Sequence, residues 1–216
     1  MSTYAVSELV KEVKVILDRN QELSALVPDD SDTLAQGEII QSKLVDAARI
    51  IEGLAPVNML DSVSTSSIAT TWTLKNDAYG GVATLPSTIL RLIRVKASDW
   101  ERPADIILET DDVYRLQSNQ YMRGNTQKPI VALAMSGTSR TLELYTSNSN
   151  SATVSISYVS VPTVNNSNIE LCSLLKDAIM YMAAYLTCIT LGDDQTAAGY
   201  KAIAYQLADI VEPSQS

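Results

Sequence analysis

The chain contains no histidine and no phenylalanine among its 216 residues, and only two cysteines. Without histidine, the Ser-His-Asp and Cys-His nucleophile arrangements, the usual zinc sites and the commonest general base are all excluded. Positive charge is also scarce: 16 Lys and Arg stand against 25 Asp and Glu, a net charge of −9. Affinity for nucleic acid comes largely from Lys and Arg displacing counterions, so this balance argues against a protein that grips phosphates. It does not exclude one that surrounds DNA while repelling it. Cys172 and Cys188 are read on one helix, sixteen positions apart. A rise of about 1.5 Å per residue places them far beyond disulfide reach, as thiols in a reducing compartment used as small hydrophobes. No basic start followed by an apolar run and a cleavage site suggests secretion.

What is present centres on one apolar stretch, IELCSLLKDAIMYMAAYLTCITL, read as a helix from Ile169 to Leu191. Its charges, Glu170, Lys176 and Asp177, lie in the first half, so beyond Ala178 every side is apolar or weakly polar. Such a helix must be covered all round. The uncharged run falls short of the roughly 20 residues that span a bilayer, so protein, from this chain or from neighbouring copies, is the expected cover and no membrane is invoked.

Periodicity predicts the remaining elements. Val6, Leu9, Val10, Val13 and Leu17 form a helical stripe over 4–19. Ile40, Leu44, Ala47, Ala48 and Ile51 form another from about Thr33 to Glu52, with Gly53 read as the C-cap. From Val57 to Pro162 alternation replaces the helical period. Ile68, Thr70, Trp72 and Leu74 read as one strand, followed by turns at Asn76-Asp77 and Gly80-Gly81; the parity slip in LRLIRVKA between Leu92 and Ile93 reads as a β-bulge. A short helix is expected over Thr110–Ser118 and a fully covered strand over Ile130–Met135. A hairpin leads to Thr141–Tyr145, and Ala152, Val154, Ile156 and Tyr158 give the clearest strand. Asn165–Asn168 reads as the cap of the apolar helix, and Tyr200, Ile203, Ala204, Leu207 and Val211 as the stripe of a last one. The fold class is therefore α+β: helices of 1–56 and 163–216 in one bundle, with an antiparallel β sandwich or barrel, 57–162, inserted between them.

Chemistry-bearing motifs are few. The pairs Asp29-Asp30, Asp111-Asp112 and Asp193-Asp194 lack calcium-loop spacing and read as helix caps, and Gly80-Gly81 has no lysine or phosphate-loop context. No catalytic, cofactor or metal site is assigned, and the chain reads as a non-enzyme. The run 85–103 concentrates Arg91, Arg94, Lys96, Trp100 and Arg102 in an acidic protein. Arg and Trp favour protein–protein hot spots; the alternative is a solvated strand edge with Trp100 packed on its own core. The tract 115–128, with Arg115, Tyr121, Met122 and Arg123, fits either a partner-binding loop or a plain connector.

The tracts LPSTILRLIRVKASDWERP (85–103), YRLQSNQYMRGNTQKPIVAL (114–133) and LLKDAIMYMAAYLTCITLGD (174–193), in this order, resemble head–tail connector (adaptor, or ring) proteins of tailed bacteriophages, most like those of short-tailed and crAss-like phages. The resemblance implies a structural virion protein, made in the host bacterial cytoplasm. It would form a homo-oligomeric, usually dodecameric, ring in the tail that links the portal protein to other tail and ring proteins. Double-stranded DNA would pass through without sequence-specific binding, and an acidic lumen would discourage it from sticking. A second expectation from the residues is a tail component whose β module binds a glycan or receptor, with Trp72, Trp100 and the tyrosines as a stacking surface.

Overall fold

The structure is a computed structural model that describes residues 2–17, 36–61, 63–75 and 78–211. The expected loop around Pro28–Asp32, the Asp29-Asp30 pair, the Asn76-Asp77 turn and the start of the second helix at Thr33 lie outside these residues. The chain is mixed α+β, and it divides into two compact units, 1–62 with 161–216, and 63–160. The switch to alternation read at Val57 thus takes structural effect a few residues later, because Val57–Met59 adopts a single 3-10 turn.

The first unit opens with strand β1, Ser2–Ala5, where a helix start was expected; helix α1 runs from Val6 to Ile16. Its buried residues are Val6, Leu9 and Val13, as the stripe predicts. Helix α2, Gln36–Leu54, fully buries Ile40, Leu44, Ala47, Ala48 and Ile51. It continues through Gly53, so that glycine is not the C-cap. Further on, the second unit intervenes, and the first unit then resumes.

In the second unit, β2 (Ser64–Ile68), β5 (Ile89–Ala97) and β9 (Val154–Ser160) form a sheet of order β2-β9-β5. Strands β3 (Thr71–Lys75), β4 (Ala78–Thr84), β6 (Asp105–Leu108), β7 (Ile130–Ser136) and β8 (Ser139–Ser147) form a second sheet, ordered β3-β4-β8-β7-β6. Pairing is antiparallel except for β6 with β7, which run parallel, and neither sheet closes into a barrel. One apolar cluster draws on both sheets: Ala83, Leu142 and Leu144 from one, Ile89, Val95, Val154 and Ile156 from the other.

Three local expectations change here. Ile68 and Trp72 belong to different strands in different sheets, because the chain crosses over at Ala69-Thr70. Gly80 and Gly81 lie inside β4 rather than at a turn. An ideal Cβ on Gly81 would stand 2.7 Å from the Trp72 ring, so the cross-strand indole requires a residue without a side chain. The register shift between Leu92 and Arg94 matches the bulge read from parity, and a further shift falls between Ile89 and Arg91. Helix α3, Asp112–Leu116, is shorter than the reading from Thr110, with Asp111 at its N-cap. Strand β7 is internal and buries the successive residues Val131 and Ala132, which requires cover on both faces.

Back in the first unit, Asn165–Asn168 is no helix cap. Strands β10 (Val164–Asn165) and β11 (Asn168–Leu171) make a hairpin, with Asn166 and Ser167 at φ 50° and 64°, and β1 pairs with the far side of β11. Both turn residues with positive φ match the backbone twist of paired strands. Cys172 therefore precedes the helix, which begins as a 3-10 turn at Ser173–Leu175 and continues as α4, Lys176–Leu191. Gly192 ends it in the left-handed conformation at φ 79°. Asp193 then caps α5, Asp194–Leu207, its Oδ1 accepting from the Thr196 N–H at 3.3 Å. Helix α4 packs against α5, α2 and α1, burying Ala178, Ile179, Met182, Ala183, Ala184 and Cys188. Both cysteines are buried free thiols.

Two glycine substitutions separate packing from backbone entropy. Gly81→Ala is expected to destabilise the chain by about 1–3 kcal/mol, since the Trp72 ring must shift. Gly199→Ala in α5, where a Cβ meets nothing within 4 Å, is expected to add about 0.5–1 kcal/mol. Denaturant unfolding followed by tryptophan fluorescence and by far-UV circular dichroism would measure both.

Candidate functional site

One concavity of the β unit is a cleft of ≈ 580 Å³ lined by Thr73, Gly80, Gly81, Val82, Tyr114, Arg115, Gln117, Ser118, Arg123, Glu143, Leu144 and Tyr145. Strand parity builds its floor. Leu142 and Leu144 point into the core, so Glu143 and Tyr145 take the opposite face of β8. Helix α3 reaches that face through Tyr114, whose hydroxyl donates to Glu143 Oε2 at 3.1 Å. The Tyr145 hydroxyl donates to the same oxygen at 2.9 Å. Burial, and then the Glu143 carboxylate, hold both phenols above their ordinary pKa, so they stay protonated donors. The loop after α3 is pinned by Gln117, which is buried: its Nε2 donates to the Val113 carbonyl at 3.0 Å and its Oε1 accepts from the Gly124 N–H at 3.0 Å.

Two residues expected at an interface, Arg115 and Arg123, line this cleft. Tyr121 and Met122, between them, are 86% and 57% exposed and contribute no wall. The basic run of 85–103 lies elsewhere. Arg91, Arg94 and Lys96 sit on β5, an edge strand, with Arg94 exposed and the other two half-buried. Arg102 is exposed and pairs with Asp105 at 3.0 Å. Trp100 is a core residue, only 3% exposed, with Nε1 donating to the Thr146 carbonyl at 2.7 Å. Trp72 is half-buried against the same core, and its Nε1 donates to the Ala152 carbonyl at 3.0 Å. Neither indole joins the cleft, so no tryptophan platform forms there.

A second polar assembly, invisible to motif reading, lies in the helical unit. Glu52 ends the buried face of α2 at 1% exposure. Its Oε1 accepts from the Cys172 N–H at 2.9 Å, while Oε2 is buried without a partner. The Cys172 thiol donates to the Met59 carbonyl at 3.2 Å and accepts from the Asp61 N–H at 3.3 Å. Asp61 Oδ2 in turn accepts from both the backbone N–H and the hydroxyl of Ser173. Desolvation pushes Glu52 up to about 7 and the Cys172 thiol up to about 11. At Asp61, burial raises the pKa, but hydrogen bonds from Cys172 and Ser173 outweigh it and leave the group below its ordinary value. A thiol held so strongly protonated is no nucleophile at neutral pH.

Among the described residues no group of three or more His, Cys, Asp or Glu is placed to hold a metal ion. The segment Ser173–Leu191 is long and apolar enough to cross a membrane by length and composition, yet half of it is buried within the chain. Compared with known protein families and with curated proteins, the chain matches none.

The Glu52 assembly makes stability depend on pH. A carboxyl raised from 4.5 to about 7 contributes stability that is complete below pH 4.5. That contribution is lost as pH rises through about 7, a difference of about 3 kcal/mol for a buried group. Thermal unfolding followed by the helical signal is expected to show a falling midpoint between pH 5 and 8. In Glu52→Gln that slope should be absent; a slope of equal size in the variant would place its origin in another group.

Proposed function

We propose that the chain is a structural virion protein, the ring-forming subunit of a phage head–tail connector, without enzymatic activity. In this reading the four helices form one bundle and the two sheets a sandwich inserted into it. Copies stand side by side in a closed, dodecameric ring that meets the portal protein on one side and tail proteins on the other. The resemblance of three sequence tracts to connector proteins supplies the identity, and one feature of the helical unit carries the physical case for self-association.

That feature is apolar surface left over after α4 is wrapped. The stripe read for the last helix does not all turn inward: α5 buries Ala197 and Ala204, while Ile203, Leu207 and, beyond the helix, Val211 are 39%, 42% and 87% exposed. Small residues at the contact let α5 lie close on α4, and the longer side chains then flank the seam. With Val15, Ile16, Met180 and Tyr181, Ile203 and Leu207 line a groove of ≈ 520 Å³ that also carries Glu12 and Asp177. Glu12 is already paired to Lys176 at 2.7 Å. A second copy is the occupant this reading assigns to the groove, through a head-to-tail contact that closes into a ring. The acidic balance, multiplied by the copy number, suits a conduit that DNA must slide through.

Light scattering and negative-stain imaging, alone and with portal and tail proteins, test the reading. Rings are expected, and Ile203→Glu or Leu207→Glu should shift the assembly to monomers with little change in thermal midpoint. A chain that stays monomeric in all these mixtures defeats the proposal.

A second reading, a binding protein of the tail, draws on the cleft of the β unit rather than on the helices. It differs by needing no copies of the chain to act.

A further inference from the structure

We infer that the cleft between α3 and the outward face of the β3-β4-β8 strands binds a saccharide ring bearing an anionic group. This goes beyond ring assembly and does not depend on it.

The floor comes first. Gly80 lies across from Thr73, and with Gly81 and Val82 it forms a stretch of β4 with little side-chain bulk. Glycine inside a strand is costly, and the Trp72 ring accounts for Gly81. A glycine on the floor of a cleft lets a ligand approach the backbone closely. The volume, ≈ 580 Å³, suits one or two sugar rings among pockets of roughly 300–1,000 Å³.

The acceptor is next. Glu143 is held by two phenol donors on Oε2, while Oε1 accepts from no described residue. A carboxylate fixed in this way offers one aimed acceptor with no partner among the described residues. A ligand cation is a poor match, because Arg115 and Arg123 share the walls. A simple anion is a poor match for the carboxylate itself. Neutral hydroxyls satisfy Glu143, and an anionic substituent on the same ring meets the Arg115 guanidinium, whose planar fork suits a carboxylate or a phosphate. Arg115 makes no ion pair with any described residue and is exposed on α3, so it is available to a ligand. Ser118 and Thr73 add hydroxyls at the edge, both donors and acceptors, as a polyol requires.

Ligand-observed and two-dimensional NMR on the full chain, with galacturonic acid, galactose 1-phosphate, galactose and acetate as probes, tests this. The expected result is that at least one anionic sugar binds about tenfold tighter than galactose or acetate, with shifts confined to residues around Thr73, Tyr114–Ser118 and Glu143–Tyr145. The two anionic arms tell a carboxylate-bearing sugar from a phosphorylated one. Arg115→Glu, at an exposed position, should remove the preference for the anionic sugar while leaving galactose unchanged. Glu143→Gln, which keeps the side-chain size, should weaken both. Absence of binding by either anionic sugar, an equal response to acetate, or an unchanged preference in Arg115→Glu overturns the assignment. None of these results bears on whether rings form.

Discussion

The burial of α4 is the constraint on which the helical unit depends. A helix whose middle carries no charge has no face it can turn to water, so its neighbours must come from several directions. Here α1, α2 and α5 supply them, each through a different means. Helix α2 brings Ile40, Leu44 and Ile51 together with two alanines, whereas α5 buries alanines alone. Helix α1 adds the Lys176–Glu12 pair, and the Tyr200 hydroxyl of α5 donates to the Ile16 carbonyl at 3.1 Å, satisfying an end of α1. The ion pair is partly exposed and worth at most about 1 kcal/mol. The apolar contacts dominate.

Wrapping α4 moves the surplus of apolar surface rather than removing it. The middle of the helix needs no neighbouring copy, which narrows the expectation drawn from its composition. The surplus reappears at its far end, where Ile189 and Leu191 are 44% and 43% exposed, and along the groove between α1 and α5. A close-packed seam of small residues has this consequence geometrically. The nearer two helices lie, the more their larger flanking side chains are pushed outward.

The β unit solves a different problem, which is how to cover two sheets and still present a polar face. Inward residues of both sheets meet in one apolar cluster, and the two tryptophans seal it by donating their indole N–H groups to backbone carbonyls. The opposite face of β8 is then free to carry Glu143 and Tyr145, and α3 with its following loop roofs that face. A buried glutamine that bonds at both ends, to Val113 and Gly124, holds the roof in place. Such a satisfied polar group can stay buried at little net cost.

Much of this was legible from residue spacing alone. The stripes of α1 and α2, the inward pair Leu142 and Leu144, the bulge near Leu92 and the cap at Asp193 are local patterns. Each follows from a period of 3.6 or 2, or from side-chain chemistry within three or four residues. What spacing did not reach is pairing across long separations. Asn168–Leu171 reads as a helix start, and pairing with β10 and with β1, more than 160 residues earlier, makes it a strand. Gly80-Gly81 reads as a turn until Trp72 occupies the space above Gly81. Arg115 and Arg123 stood out by charge, yet Glu143 and its tyrosines could join them only once α3 was laid over β8. The sequence determines periodicity and capping because those interactions are local. Partnership between distant segments is decided by the tertiary structure, since burial and the satisfaction of buried polar groups are properties of the whole packed chain.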